Sequence, residues 1–373
     1  MRLPLLAALL LVTALPVAAQ RLDLIGTVEL PTMPRPGADQ PRPDGQIGIP
    51  AIVGGSDVWA YTAPDGAEYA LMGDVEGISI VAIPSMEVVA HIDGPTEDDM
   101  FFHRDIKTYR GFAYVVTENT GRSEGLQVID LRSLPASAEE VAVVRGEGDR
   151  LVSSHNLSID TQTGHAYVLD SNASGIVAVD LSTPAAPVDV GFLQLTDLHD
   201  VYARGDTLWV AEGREPTFSV WSMADKAAPR LLARVTVPAA GYVHNIWPTD
   251  DGRFAITTEE TADKSVKVWD LSDLENPSLV GEWLGSSRLA HNVHIQGDYA
   301  FLSHYASGVY VLDVSDPAAP TEVAHYDAYP ANDDAAFYGT WGMSLPTPGG
   351  YVYASNLEGQ LSILRWMPTA RDL

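Results

Sequence analysis

Four histidines recur along this chain at a nearly constant spacing. They sit in Ser154-His155-Asn156-Leu157, Leu198-His199-Asp200-Val201, Val243-His244-Asn245-Ile246 and Ala290-His291-Asn292-Val293, 44, 45 and 47 residues apart. Imidazole is a ligand for Zn, Cu, Fe and Ni, and a carboxylate on its second nitrogen fixes the tautomer and raises basicity. Carboxylates recur with the histidines: Asp170, Glu212 and Glu259 follow His155, His199 and His244 by 15, 13 and 15 residues. One reading is a single divalent transition metal on His155, His199, His244 and His291, with Asp170, Glu212 and Glu259 behind or beside the rings. The other reading is structural. Each imidazole then bonds a neighbouring backbone or carboxylate and fastens the repeats together.

The remaining repeats carry other residues at the same two positions. Ser56, Arg104 and Trp341 replace the histidine, while Asp74, Glu118, His304 and Ser355 complete the second series. A guanidinium beside a metal ion is unfavourable but suits an anionic or carboxylate ligand. Arg104, Trp341, Glu118 and His304 therefore form a candidate ligand-binding set. His91, His103, His165, His294 and His325 fall out of register and are expected at the surface or in packing. The chain has no Gly-rich phosphate loop, no His-Glu-x-x-His and no Gly-x-Ser-x-Gly turn. No catalytic residue is assigned.

A period of 20–50 residues signals stacked or radial repeats. From His291 the chain reads as four short strands: His291 to Ile295, Tyr299 to Ser303, Val309 to Asp313 and Thr321 to Tyr326, separated by Gly, Asp and Pro turns. Four such strands make one propeller blade. Third strands recur at Ile78–Ile83, Leu126–Leu131, Ile176–Leu181, Phe218–Met223, Val266–Leu271, Val309–Val314 and Leu361–Arg365, which gives seven blades. The last lacks a fourth strand, and Leu22–Val28 resembles one. The expected fold is all-β, a seven-bladed propeller over residues 20–373, closed by the N-terminal strand. Aspartates ending the third strands are expected to bond turn N–H groups.

The strand Leu126-Gln127-Val128-Ile129-Asp130 resembles those of the LVIVD-repeat proteins. Tyr242-Val243-His244, Thr257-Thr258-Glu259-Glu260, His291-Asn292, Ser307-Gly308-Val309, Tyr326-Asp327-Ala328-Tyr329-Pro330 and His103 to Lys107 resemble the choice-of-anchor B group of exported bacterial proteins. The resemblance runs from about Asp105 to Arg365. It implies a propeller at the cell exterior and no particular activity. Members often carry a C-terminal anchoring segment; eight residues follow Arg365 here.

Residues 1–19 read as a secretory signal peptide, with Arg2, an apolar run from Leu5 and small residues at Val17-Ala18-Ala19. No other apolar run approaches membrane-spanning length. The chain has no cysteine, which excludes disulfides, thiolate metal sites and cysteine nucleophiles. A net charge of −28 repels phosphate backbones and argues against nucleic acid. The expectation is a monomeric protein, secreted, periplasmic or at the cell surface, that binds an extracellular ligand or protein. The alternative is a metal-dependent extracellular enzyme, an oxidoreductase or hydrolase, using the axial histidines.

Overall fold

Short apolar runs closed by Asp, Gly and Pro turns produce seven four-stranded antiparallel sheets in the computed structural model. The structure describes residues 20–35, 50–94, 103–118, 125–170 and 175–368, so the leader expected at residues 1–19 lies outside it. The first strands of blades 1 to 7 are Gly55–Thr62, His103–Tyr109, Ser154–Asp160, Asp200–Arg204, Val243–Pro248, Val293–Gln296 and Thr340–Met343. These strands pack around a central axis, neighbour on neighbour, with Thr340–Met343 meeting blade 6 through Tyr299–Ser303. In blades 1 to 6 the remaining strands follow outward in chain order. Blade 7 continues through Tyr351–Asn356 and Gln360–Met367 and is completed by the N-terminal strand Arg21–Glu29, as the strand count anticipates. Leu22 pairs with Trp366 and Val28 with Leu361 in that closing ladder.

Middle strands lie between two neighbouring blades, so both of their faces are apolar. Every residue of Glu68–Asp74 is buried. Outer strands face water on one side, which leaves Val188 58% exposed. Among the described residues the apolar core is correspondingly divided into one cluster for each of the seven blade seams and a small eighth of Leu289, Tyr305 and Leu357. Phe112, Tyr114 and Val128 of blade 2 pack on Leu157, Val168 and Val177 of blade 3. At the closing seam, Leu22 joins Phe301, Val311 and Leu364 between blades 6 and 7, while Leu30 joins Val58, Met72 and Ile363 between blades 7 and 1.

Third-strand aspartates cap their turns as expected. Arg132 N, Ser182 N, Ser272 N and Ser315 N donate to Asp130, Asp180, Asp270 and Asp313 at 3.0, 2.7, 2.8 and 2.9 Å. Among the described residues no helix is long and apolar enough to cross a membrane.

Candidate metal site at the channel mouth

The first strand of each blade presents alternate residues to the axis. At one mouth this produces a closed circle of six aromatic rings from six of the seven blades. Centroid distances run His103–His155 4.2 Å, His155–His199 4.3 Å, His199–His244 3.9 Å, His244–His291 4.3 Å, His291–Trp341 4.6 Å and Trp341–His103 5.3 Å. Five members are histidines. The four expected histidines and Trp341 are brought together, but blade 2 contributes His103, not Arg104.

That correction has a backbone cause. In blades 1, 3, 5 and 7 the ladder shifts register at the ring position, between Gly55 and Val58, Ser154 and Leu157, Val243 and Asn245, and Thr340 and Gly342. Each shift is a β-bulge that adds one residue to the inner strand. Blade 2 has none: its ladder runs unbroken from His103↔Glu118 to Tyr109↔Phe112. One residue of offset moves a side chain to the other face. His103 therefore faces the mouth, and Arg104 is driven into the seam with blade 1. There its Nε donates to Asp74 O and Gly77 O, both at 3.1 Å, and Nη1 to Thr117 Oγ1 at 3.2 Å. Arg104 is fully buried and offers nothing to an anionic ligand at the mouth.

The carboxylates also divide by alternation. Glu118, paired with ring residue His103, faces the mouth and accepts a short hydrogen bond from His155 Nδ1. Glu259 pairs with Val243, a core residue, and so turns away; it accepts from Gly241 N and Lys267 Nζ. Its successor Glu260 is the carboxylate that reaches the ring, with Oε1 3.7 Å from His291 Nε2 and Oε2 3.9 Å from His244 Nε2. Glu212 is likewise occupied elsewhere, accepting from Thr217 Oγ1, from Ser219 Oγ at 2.6 Å and from Arg234 Nη2 at 2.9 Å. Asp170 ends the second strand of blade 3 opposite Ser154, and its side chain lies outside the described residues. His304 leaves the ring for a buried pocket, hydrogen-bonded through Nδ1 to Ser287 Oγ at 2.7 Å and Ser307 Oγ at 3.0 Å.

Two groups bring three ligand atoms within 4.8 Å of one another: His103, Glu118 and His155, and His244, Glu260 and His291. They are not equivalent. The His103 and His155 rings are stacked at an interplanar angle of 8°. Imidazole lone pairs lie in the ring plane, so two parallel rings cannot both aim at one ion. The His244 and His291 planes are inclined at 44° and can converge. His199, 3.9 Å from His244 by ring centroid, is the nearest further imidazole.

The ring nitrogens have separate tasks. His199 Nδ1 donates to His244 O at 3.0 Å, and His291 Nδ1 to Trp341 O at 2.5 Å, each across a blade boundary. These bonds fix the tautomer and leave Nε2 as the acceptor. The equivalent carbonyl for His244, that of His291, is taken by Thr258 Oγ1, and His244 Nδ1 is buried without a hydrogen bond.

Burial, helped by the positive charge on His155, holds His103 and His199 well below the ordinary imidazole range. Burial and the neighbouring His199 and His291 do the same to His244, and burial brings His291 down to about 3. Burial opposes charge on His155 as well, but the Glu118 hydrogen bond and charge outweigh it and its pKa is raised. His155 thus keeps its proton to higher pH than the other imidazoles of the mouth. Burial pushes Glu260 up to about 7, against the hydrogen bond it accepts from Tyr305 OH. Tyr305 is fully buried with φ +43°, a left-handed conformation that costs a bulky residue free energy and is found where surrounding structure enforces it.

Sequence reasoning missed His103, Glu260 and His294. Glu260 and His103 each adjoin a residue that was chosen, so the available signal was the pair Glu259-Glu260 and the pair His103-Arg104. His294 was set aside as out of register. It is in register with the channel one pleat deeper, 6% exposed and 4.3 Å from Trp247 by ring centroid.

Blade 6, the blade that carries His291 and Tyr305, lies within the stretch that matches a family. Residues 287–328 match the LVIVD repeat. Comparison with curated proteins finds no sequence match. Among solved structures, "Crystal structure of RRP9 WD40 repeats" superposes with a TM-score of 0.61 at 12% identity, over 86% of this chain and 97% of that one. "Structure of U3-55K" superposes with a TM-score of 0.60 at 12% identity, over 86% and 98%. At that identity the likeness is one of fold alone. The LVIVD repeat and the propeller together fit a binding or scaffold module.

Proposed function

We propose that the protein is an exported binding propeller that holds one divalent transition metal ion at its channel mouth, on His244, His291 and Glu260. The observation that carries this reading is the convergence of two neutral, inclined imidazoles on one carboxylate. The bond from His291 Nδ1 to Trp341 O supports it, because it orients a ligating imidazole and leaves Nε2 available. The fastening role and the ligand role therefore use different nitrogens and do not compete. Imidazole with carboxylate suits Zn, Cu, Ni or Fe better than a hard alkaline-earth cation. The resemblance of residues 1–19 to a secretory leader supports export.

The test is the metal content of protein purified without a histidine tag. Stoichiometric metal is expected in the wild type and in His165→Ala, a histidine whose ring bonds only Thr163 among the contacts resolved here, and is expected to be lost in His244→Ala. A wild type that carries no metal and gains no thermal stability from Zn, Cu, Ni or Fe would overturn the reading.

A further inference from the structure

The channel holds a cavity of about 230 Å3 that the ring itself roofs. Below the ring its wall is built in layers two residues apart along the inner strands, as alternation requires, and the first layer directly follows the ring residue in blades 3 to 7. Next to the ring is a belt of one residue per blade: Asp57, Asp105, Asn156, Asp200, Asn245 and Asn292, with Gly342 in blade 7. One pleat deeper lie Trp59, Lys107, Tyr202, Trp247 and His294. The far end is reached past Thr161 and Gln162, both exposed.

Much of the belt is used to join blades. Asp57 Oδ2 accepts from Ile106 N at 3.3 Å, and Asp105 Oδ2 from Leu157 N at 2.7 Å. Asn245 donates to Asp200 at 2.6 Å and accepts from Val293 N at 3.1 Å. Two belt atoms are left over: Asn156 Oδ1 and Asn292 Oδ1 are buried without a partner, and so is Nδ1 of His294, whose side chain is more than nine-tenths buried. Native proteins leave few buried polar atoms unsatisfied, and all three residues line the cavity, so an occupant toward which the two amides turn their oxygens would satisfy them. The two amide oxygens are acceptors and ask for a donor.

Charge asks for the same thing. Three carboxylates line the belt against one ammonium, Lys107, which bonds Asp105 and lies 3.4 Å from Asp57; burial raises Asp57 and pushes Asp200 up to about 7, so a cation beside them would favour their charged form. Arg204 stands at the far end and is engaged there, donating to Thr249 O at 2.7 Å and facing Asp250 at 3.7 Å. A bare metal ion does not fit. Among the described residues the belt brings no three carboxylate or imidazole ligands to one point. The cavity is also several times the roughly 30 Å3 that one water occupies in the liquid. The aromatic layer adds an attraction for organic cations: Lys107 Nζ already lies 4.4 Å from the Trp59 ring centroid, and the Trp247 and Tyr202 rings follow beside it, 4.5 Å apart.

We propose that this chamber is a binding site for a compact organic ammonium ion, held by N–H donation to Asp200, Asn156 and Asn292 above and by the aromatic layer below. His244 and His291 roof the same cavity, but the belt that would hold the ammonium ion includes neither, so the proposal stands whether or not the mouth binds metal.

The experiment is isothermal titration of chelator-treated full-length protein with ethylammonium and 1,4-diaminobutane, with 1-propanol and calcium chloride as comparisons. Saturable binding of an amine with none of the alcohol is expected. Asp200→Asn should weaken it at least tenfold, and Asn156→Asp, which adds a charge at an unpaired acceptor, should strengthen it. If Asp200→Asn does not fold, the Asn156→Asp result decides. No amine binding at 10 mM, equal binding of 1-propanol, preference for calcium, or an unchanged affinity in Asn156→Asp would each overturn the proposal.

Discussion

Glu260 stands 3.7 Å from His291 Nε2 across the boundary between blades 5 and 6, and its other oxygen stands 3.9 Å from His244. The carboxylate directly follows a second strand, Phe254–Glu259, and the imidazoles come from the starts of two different blades. The pair exists only because the ring is closed and the second strand of blade 5 returns antiparallel to the mouth.

Glu260 should govern how metal binding depends on pH. Burial holds its pKa up to about 7, while His244 and His291 are neutral well below that. A ligating carboxylate must be ionised. Metal affinity, measured by competition with a chromogenic chelator, should rise by up to about tenfold per unit below pH 7 and level off above pH 8. Glu260→Gln should remove that dependence and weaken binding by about 10–100-fold. An affinity that instead levels off above pH 6 would assign the control to an ordinary imidazole.

The metal-free protein should be acid-labile. His199, His244, His291 and His294 all have folded pKa values below the ordinary ~6.5 of an unfolded imidazole. Their depressed values mean that the fold binds fewer protons than the unfolded chain. The stability they contribute is complete above pH 6.5 and falls as pH drops below it, by up to about 1.4 kcal/mol per unit for each group. His155, with its raised pKa, works in the opposite sense. Urea midpoints between pH 7.5 and 5 should therefore fall steeply. A flat profile over that range would mean that these imidazoles are solvated.

Arg104 should matter for folding and not for metal. Its guanidinium donates to two buried carbonyls in blade 1 and to Thr117, and Asp74 lies beside it as a fully buried carboxylate. Arg104→Met leaves those groups uncompensated and should cost roughly 3 kcal/mol or more, read by chemical denaturation. Metal stoichiometry should be unchanged. A variant of wild-type stability that has lost its metal would restore Arg104 to the mouth.

Deleting residues 20–30 should open the ring. The loss removes the Arg21–Glu29 ladder and the buried side chains of Leu22 and Leu30, each worth about 1.5–3 kcal/mol, and exposes Gln360–Met367 as a sheet edge. A fall in Tm of at least about 5 °C is expected, with new self-association. Unchanged melting would show that blade 7 does not depend on its fourth strand.

The repeat spacing alone determined the number of blades, the strand that closes the ring and the presence of His155, His199, His244 and His291 at one mouth. Those features follow from period and turn chemistry, which are local and written into the chain. The choice between neighbours was not. His103 or Arg104, and Glu259 or Glu260, differ by one position, and on a pleated strand one position is the difference between the axis and the inter-blade core. Four inner strands carry a bulge at that point and blade 2 does not. A bulge is an extra residue opposite one partner, so it is defined by the pairing of two strands. Only the assembled sheet decides which of two adjacent side chains meets the ring.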